Sequence, residues 1–149
     1  MQLDVHDTLL AVCRLPADEP VPSWVDLTAR PLVSITGTAN ELSLVLPQRA
    51  VPPGVAAESG WRAMAVRGPL AFHLTGILAS LSAAIAEAGV AIFVISTHDT
   101  DWLLVPHDGL AEACEALERA GHRVHHPALA PGPTARPHRS APPPGPTGR

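Results

Sequence analysis

The polar run from Ser96 to Asp101 (STHDTD) is the densest group of chemically useful side chains in the sequence. It holds two carboxylates, Asp99 and Asp101, among hydroxyl groups and one imidazole. A carboxylate held in such a turn can pair with an amino or guanidinium group through a charge-assisted hydrogen bond. The alternative is that both aspartates only accept hydrogen bonds from the backbone of the turn. Both interpretations stay open at this point.

A second candidate is the segment 71–77 (AFHLTGI), which leads into a predicted helix. The first backbone N–H groups of a helix have no acceptor within it and lie at the positive end of its dipole. They can therefore hold a carboxylate. Gly76 has no side chain, so a ligand can approach the backbone closely there. The alternative is that Gly76 only lets the helix pack tightly on a sheet.

Metal binding is the main competing chemistry for the histidines and carboxylates. The candidate ligands are His98, Asp99, Asp101, His107, His122, His125 and His126. Their spacing matches no known zinc motif, because there is no HExxH, no spaced cysteine pair and no histidine pair at i and i+4 within a predicted helix. We therefore expect no metal and no cofactor.

Catalysis has less support in the sequence than binding. No serine lies in a nucleophile elbow, and neither cysteine has neighbours basic enough to activate it. We predict no catalytic residue, and we do not expect the chain to be an enzyme.

Composition limits the chain to one compact domain or two small subdomains. Of its 149 residues, 46% are hydrophobic and 16% are charged, which allows a buried core. The net charge of −4 gives no reason to expect nucleic acid or an anionic membrane as a partner. The opening sequence lacks a signal-peptide pattern, so a cytoplasmic protein is expected, with Cys13 and Cys114 as buried thiols.

The N-terminal half, residues 1–59, contains short apolar runs between turn residues. The predicted elements are three strands and a loop rich in Pro and Gly, at 8–15, 32–36, 41–46 and 47–59. At the other end of the chain, residues 125–149 are dominated by proline, which blocks both helices and strand ladders. We predict that this segment is a disordered tail.

The C-terminal half, residues 60–124, has a clearer pattern. The predicted elements are a strand, a helix, two strands, a helix and a short strand, at 61–67, 76–88, 90–95, 102–105, 108–120 and 122–124. Thr75 and Asp108 are the expected N-caps, and Gly89 and Gly121 the expected helix ends. This β-α-β-β-α-β order predicts an α+β, ferredoxin-like fold, in which an antiparallel sheet carries both helices on one face.

Specific residues within this half resemble a known family. The segments GPLAFHLTGILA, AEAGV and ISTHDTDWLLV, all between Gly68 and Pro106, resemble the small bacterial ACT-domain proteins, which are related to the CASTOR-type arginine sensors. Upstream, ITGTANELSLVLP is similar to a companion segment of the same family, in which a reduced ACT-like half precedes the full domain. Together these segments extend the resemblance over roughly residues 8–124.

The resemblance implies an ACT fold and an amino-acid site. The implied ligand-binding residues are Phe72, Leu74, Thr75, Gly76, Ile77, Ser96, Thr97, His98 and Asp101. In this family the loop before the first helix binds the amino-acid backbone, and Asp101 lies where arginine-binding relatives receive the cationic group. Leu74 stands where some of those relatives have glutamate.

The predicted function is therefore regulatory binding of a small amino acid by a homo-oligomer, expected to be a dimer. The first alternative is an ACT-type module that has lost its ligand and serves as an oligomerisation platform. Metal binding is the third interpretation.

Overall fold

The computed structural model describes residues 1–127, which form eight strands and two α-helices. In chain order these are β1 (Gln2–Val5), β2 (Leu10–Leu15), β3 (Ser34–Gly37), β4 (Leu42–Pro47), β5 (Ala57–Val66), α1 (Ile77–Glu87), β6 (Phe93–Ser96), β7 (Asp101–Pro106), α2 (Leu110–Arg119) and β8 (Arg123–His125). Short 3₁₀ helices follow β4 at Gln48–Ala50 and precede α2 at His107–Gly109. The order from β5 to β8 confirms the predicted β-α-β-β-α-β arrangement. Apart from 125–127, the predicted tail lies outside the described residues, and His125 is the last residue of β8.

The ten-residue strand β5 joins the two halves into one sheet. On one edge, its first part pairs with β2 and its last part with β1, while its other edge pairs with β7. These pairings meet at Trp61, which lies opposite Leu10 on one side and Pro106 on the other. Beyond β2 the sheet continues through β4 and β3, and beyond β7 it continues to β6.

The strand β1 is not predicted from the sequence pattern, because only Leu3 and Val5 of its four residues are buried. It lies between β5 and β8, antiparallel to β5 and parallel to β8. This parallel pair corrects the expectation of a wholly antiparallel sheet. The segment 1–59 thus contributes two strands, β1 and β2, that pair directly with β5, and the division after residue 59 stays a prediction.

Both helices pack on one face of the sheet against β1, β5 and β7. Helical spacing brings Leu81 and Ile85 of α1 to the same side, and both are completely buried. Burying a side chain of this size stabilises the fold by about 1.5–3 kcal/mol. The other fully buried members of this core are Leu3, Met64, Val66, Leu103, Val105, Ala113 and Leu117.

A second core lies on the opposite face of the same strands. Ala63 and Leu104 belong to it, whereas their neighbours Met64 and Leu103 belong to the helix-side core. Successive residues of a strand face opposite sides, so strands covered on both faces need continuous apolar runs. The aromatic side chains that pack against this second core are Trp61, Phe93 and Trp102.

The helix ends were only partly predicted by the sequence. Gly89 and Gly121 follow the two helices with φ values of +70° and +90°, which confirms them as stops. The two expected N-caps are wrong: the N-cap positions are Gly76 and Gly109, and neither makes a side-chain capping bond. Each observed cap lies one residue after the expected Thr75 or Asp108: the left-handed Gly76 precedes α1, and a 3₁₀ turn that ends at Gly109 precedes α2.

The two cysteines are free and buried, as expected. Burial is the main reason why the pKa of the Cys114 thiol is raised to about 11. A thiol in this state is a poor nucleophile.

Arg62 is buried although it carries a charge. Its Nε donates to the carbonyl oxygen of His6 (2.7 Å), and one terminal nitrogen donates to the Asp7 carboxylate (3.0 Å). The other terminal nitrogen lies 3.3 Å from Nδ1 of His107. A buried guanidinium needs such partners because its desolvation is costly. Arg62 thereby ties the connection between β1 and β2 to the 3₁₀ helix before α2.

We predict that Arg62→Ala lowers the free energy of unfolding by about 1–3 kcal/mol, because it removes charged hydrogen bonds and the packing of the side-chain stem. The matched control is Arg119→Ala, since Arg119 is exposed on α2 and its contact with Glu115 is 3.8 Å long. The control is expected to change stability by less than about 0.5 kcal/mol in urea unfolding. Equal effects of the two variants would contradict the role given to Arg62.

His6 is half-buried and stacks on Trp102, with ring centroids 5.2 Å apart. Burial lowers the pKa of His6 below its ordinary value of 6.5, an effect that Asp4 partly opposes. Burial also lowers the pKa of His122. Because a lowered pKa means that the unfolded chain takes up the proton more readily, these histidines reduce the free energy of unfolding as the pH falls below 6.5.

We therefore predict that the urea midpoint falls as the pH is lowered from about 7.5 to about 5.5. His6→Gln should show a smaller fall over this range, while His126→Gln, at an exposed position, should behave as the unsubstituted protein. An unchanged pH dependence in His6→Gln would show that the stacked ring does not contribute.

Candidate functional site

The connection from β5 to α1, residues 67–76, ends at a helix N-terminus without a side-chain cap. Gly76 has a left-handed φ of +79°, which favours glycine. The first bond within the helix joins the Ser80 N–H to the Gly76 carbonyl oxygen (2.9 Å). The N–H groups of residues 77–79 therefore have no acceptor within α1, and the positive end of its dipole is available there.

The turn between β6 and β7 is held partly by its own side chains. The Thr97 N–H and hydroxyl both donate to the Thr100 carbonyl oxygen, at 2.8 and 3.0 Å. A ring nitrogen of His98 lies 2.9 Å from the Asp99 carboxylate. The turn is thus bonded through Thr97, while the Asp99 carboxylate contacts a side chain rather than accepting from the turn's backbone as the alternative expected.

Asp101 begins β7 and lies opposite Ser96 of β6. The Ser96 hydroxyl donates to Oδ1 of Asp101 (2.6 Å). The second carboxylate oxygen accepts no side-chain hydrogen bond from the part of the chain that the structure describes. Asp101 is therefore oriented by Ser96 while one oxygen stays available to a ligand.

A cavity of about 360 Å³ lies between the α1 N-terminus and this turn. Its volume lies within the ordinary range of small-molecule sites. All of the predicted site residues line it except Thr75: Phe72, Leu74, Gly76, Ile77, Ser96, Thr97, His98 and Asp101. The structure thus brings together two segments that are about twenty residues apart in sequence.

Some lining residues were not among the predicted site residues. Leu78 and Ala79 line the cavity because they belong to the first turn of α1, and the helix-terminus argument could have included them. Leu70 lines it because its N–H donates to the Asp99 carbonyl oxygen (2.7 Å), a contact that no local pattern reveals. Asp99 and Thr100 lie in the turn already singled out.

The two walls of the cavity differ in charge. One wall offers backbone N–H groups at the positive end of α1, and the other offers the carboxylates of Asp99 and Asp101. Among residues 1–127, no arginine lines the cavity. An arrangement with donors on one side and carboxylates on the other suits a zwitterion better than a simple anion.

An apolar side chain spans the mouth of the cavity. Phe72 is 80% exposed, and its ring meets the His98 ring edge-on with centroids 4.9 Å apart. The His98 side chain is itself 82% exposed. Leu74 is also exposed on the same connection. Two large apolar side chains are thus exposed beside the cavity.

Residues 1–127 contain neither a cluster of metal ligands nor a membrane-spanning helix. No group of three or more His, Cys, Asp or Glu side chains converges there in a way that could hold a metal ion. No helix in the same range is long and apolar enough to cross a membrane.

Comparisons with known proteins give two sequence matches along the chain. The profile of the ACT domain family matches residues 56–119. A second profile, described as an N-terminal domain, matches residues 9–53. The two profiles thus fall on the two halves of the sheet.

Among curated proteins, the chain is similar to human cytosolic arginine sensor for mTORC1 subunit 1. The two are 38% identical over 60 residues, which is 40% of this chain and 18% of the sensor. The match therefore spans less than a fifth of the sensor's length.

Solved structures give a longer match. A protein from Agrobacterium tumefaciens is 35% identical, with 86% of this chain and 94% of that chain covered and a TM-score of 0.79. The regulatory subunit of aspartate kinase from Thermus thermophilus has the same fold at 16% identity, with 78% and 96% of the chains covered and a TM-score of 0.54. From the ACT profile, the shared fold and the near-complete match to the Agrobacterium protein, we conclude that the chain belongs to the ACT-domain family and has its ferredoxin-like fold.

Proposed function

We propose that this ACT-domain protein binds a small amino acid in the cavity between α1 and the β6–β7 turn. The observation that carries the proposal is that helix N–H groups without an acceptor in α1 and the Asp101 carboxylate line the same cavity. The α-carboxylate of the ligand would accept from the N–H groups of residues 77–79. Its ammonium group, or a cationic side chain, would pair with Asp101.

The remaining lining residues suit the rest of an amino acid. Leu70, Phe72 and Ile77 supply apolar surface to the carbon atoms of the ligand, and Thr97 supplies a hydroxyl group. The similarity to a protein named as an arginine sensor supports an amino-acid ligand, with arginine the first to test. The carboxylates at residues 99 and 101 suit its guanidinium group.

The regulatory part of the proposal is a change in assembly. Phe72 and Leu74 are exposed beside the cavity, and β3 and β6 each pair on one edge only among the described strands. A second copy of the chain would cover these surfaces. Ligand binding would then shift the population toward the assembly state that binds the ligand more tightly. We propose that this takes place in the cytoplasm and involves no catalysis.

The second candidate is an oligomerisation module that binds no ligand. The observation that favours it is the apolar character of the connection before α1, where Phe72 and Leu74 are exposed and Leu74 replaces the acidic residue of some arginine-binding relatives. In this case the exposed side chains would contact a second copy, and the cavity would stay empty.

The test is a thermal-shift screen of the 20 amino acids at millimolar concentration. A ligand present at a hundred times its Kd stabilises the fold by about 2.7 kcal/mol, which such a screen detects. Asp101→Asn keeps the acceptor for Ser96 but removes the charge. It should weaken binding about tenfold or more with little change in the melting temperature of the free protein.

The control for this substitution is Asp18→Asn, at an exposed aspartate that does not line the cavity. It should bind as the unsubstituted protein does. If no amino acid shifts the melting temperature, amino-acid binding is wrong and the oligomerisation module is favoured. If the shift persists fully in Asp101→Asn, the ligand binds elsewhere.

A further inference from the structure

The end of β5 is the point where the two walls of the cavity meet. The carbonyl oxygen of Val66 accepts a hydrogen bond from the Thr100 hydroxyl. Two residues further on, the backbone at Gly68 lies against the turn, and the Leu70 N–H donates to the Asp99 carbonyl oxygen (2.7 Å). The β6–β7 turn is thus attached to the connection 67–76 through both side-chain and backbone contacts.

Gly68 is required by space at this junction. A Cβ atom there would lie 2.8 Å from the Asp99 carbonyl oxygen, and 3.2 Å from both the Leu70 nitrogen and the Thr100 Cβ. Two of these three atoms belong to the backbone and the third is the first atom of a side chain, so none can swing aside. Any larger residue must push the turn and the connection apart.

Other glycines of the chain are required for a different reason. At Gly76, for example, an added Cβ would meet nothing within 4 Å, and the left-handed φ is what favours glycine. Gly68 has no such φ. The requirement at Gly68 is therefore a close approach between two segments that lie about thirty residues apart in sequence.

We infer that Gly68 and Thr100 are positioning residues, which set the distance between the α1 N–H groups and the Asp101 carboxylate by locking the β6–β7 turn against the connection 67–76. This inference deepens the proposed function and rests on it for its consequence in binding. A ligand that spans the cavity contacts both walls at once. An opening of a few tenths of an ångström would therefore weaken both of its charged contacts together.

The junction is tested first without any ligand, by amide hydrogen exchange in the full chain. In Gly68→Ala the Leu70 N–H should exchange roughly tenfold faster than in the unsubstituted protein, because its bond to Asp99 is stretched. The Leu103 N–H, in the middle of the sheet, should keep its rate once the difference in global stability is subtracted. The control is Gly37→Ala, where a new Cβ meets nothing within 4 Å.

Binding is tested with an equimolar mixture of the 20 amino acids, read as a shift in melting temperature. Gly68→Ala should lose most of the shift shown by the unsubstituted protein, while Gly37→Ala should keep it. Thr100→Val, which removes the hydroxyl but keeps the shape, should reduce the shift, and Thr100→Ser should restore it. If Gly68→Ala does not fold, the comparison of Thr100→Val with Thr100→Ser still tests the inference.

The outcomes separate this inference from the proposed function. If the unsubstituted protein shows no shift, amino-acid binding fails, while the exchange rate of the Leu70 N–H still decides whether the junction positions the turn. If the unsubstituted protein shows a shift and both Gly68→Ala and Thr100→Val keep it in full, the positioning role is wrong. Unchanged Leu70 exchange in both variants would overturn it as well.

Discussion

The rest of the structure depends on the double pairing of β5. One edge of this strand is shared between β2 and β1, and the other pairs with β7, so both halves of the chain are hydrogen-bonded to the same ten residues. Its side chains alternate between the helix-side core and the opposite core, as Met64 and Ala63 show. Because β5 ends beside the cavity, the strand that joins the two halves also sets the position of the cavity.

The cavity combines two sources of charge that cost the fold little desolvation energy. The N-terminus of α1 supplies donors that the helix cannot use, and the first residue of β7 supplies a carboxylate that a neighbouring serine orients. Neither source requires a buried unpaired charge, whose desolvation would destabilise the domain. This explains how so small a domain can hold a polar cavity at the edge of its core, beside the exposed Phe72.

Sequence patterns predicted the elements that depend on residues close together in the chain, such as helices and helix ends. The spacing of Leu81 and Ile85 defined α1, and Gly89 and Gly121 marked the helix ends. Most of the cavity-lining residues came from the family resemblance. The strand β1 was missed because its four residues acquire their role only by pairing with strands far away in sequence. The contact between Gly68 and Asp99 was missed for the same reason, since nothing local distinguishes a glycine that needs space from one that needs φ.

In the proposed function, an amino acid bridges the α1 N-terminus and the β6–β7 turn. The most direct measurement is the mapping of backbone amide chemical shifts as L-arginine, and then the other amino acids, are added. If an amino acid binds across the cavity, one of them gives its largest shift changes at residues 77–79 and 96–101, on both walls. Changes confined to one wall, changes elsewhere on the sheet, or no change with any amino acid would contradict it.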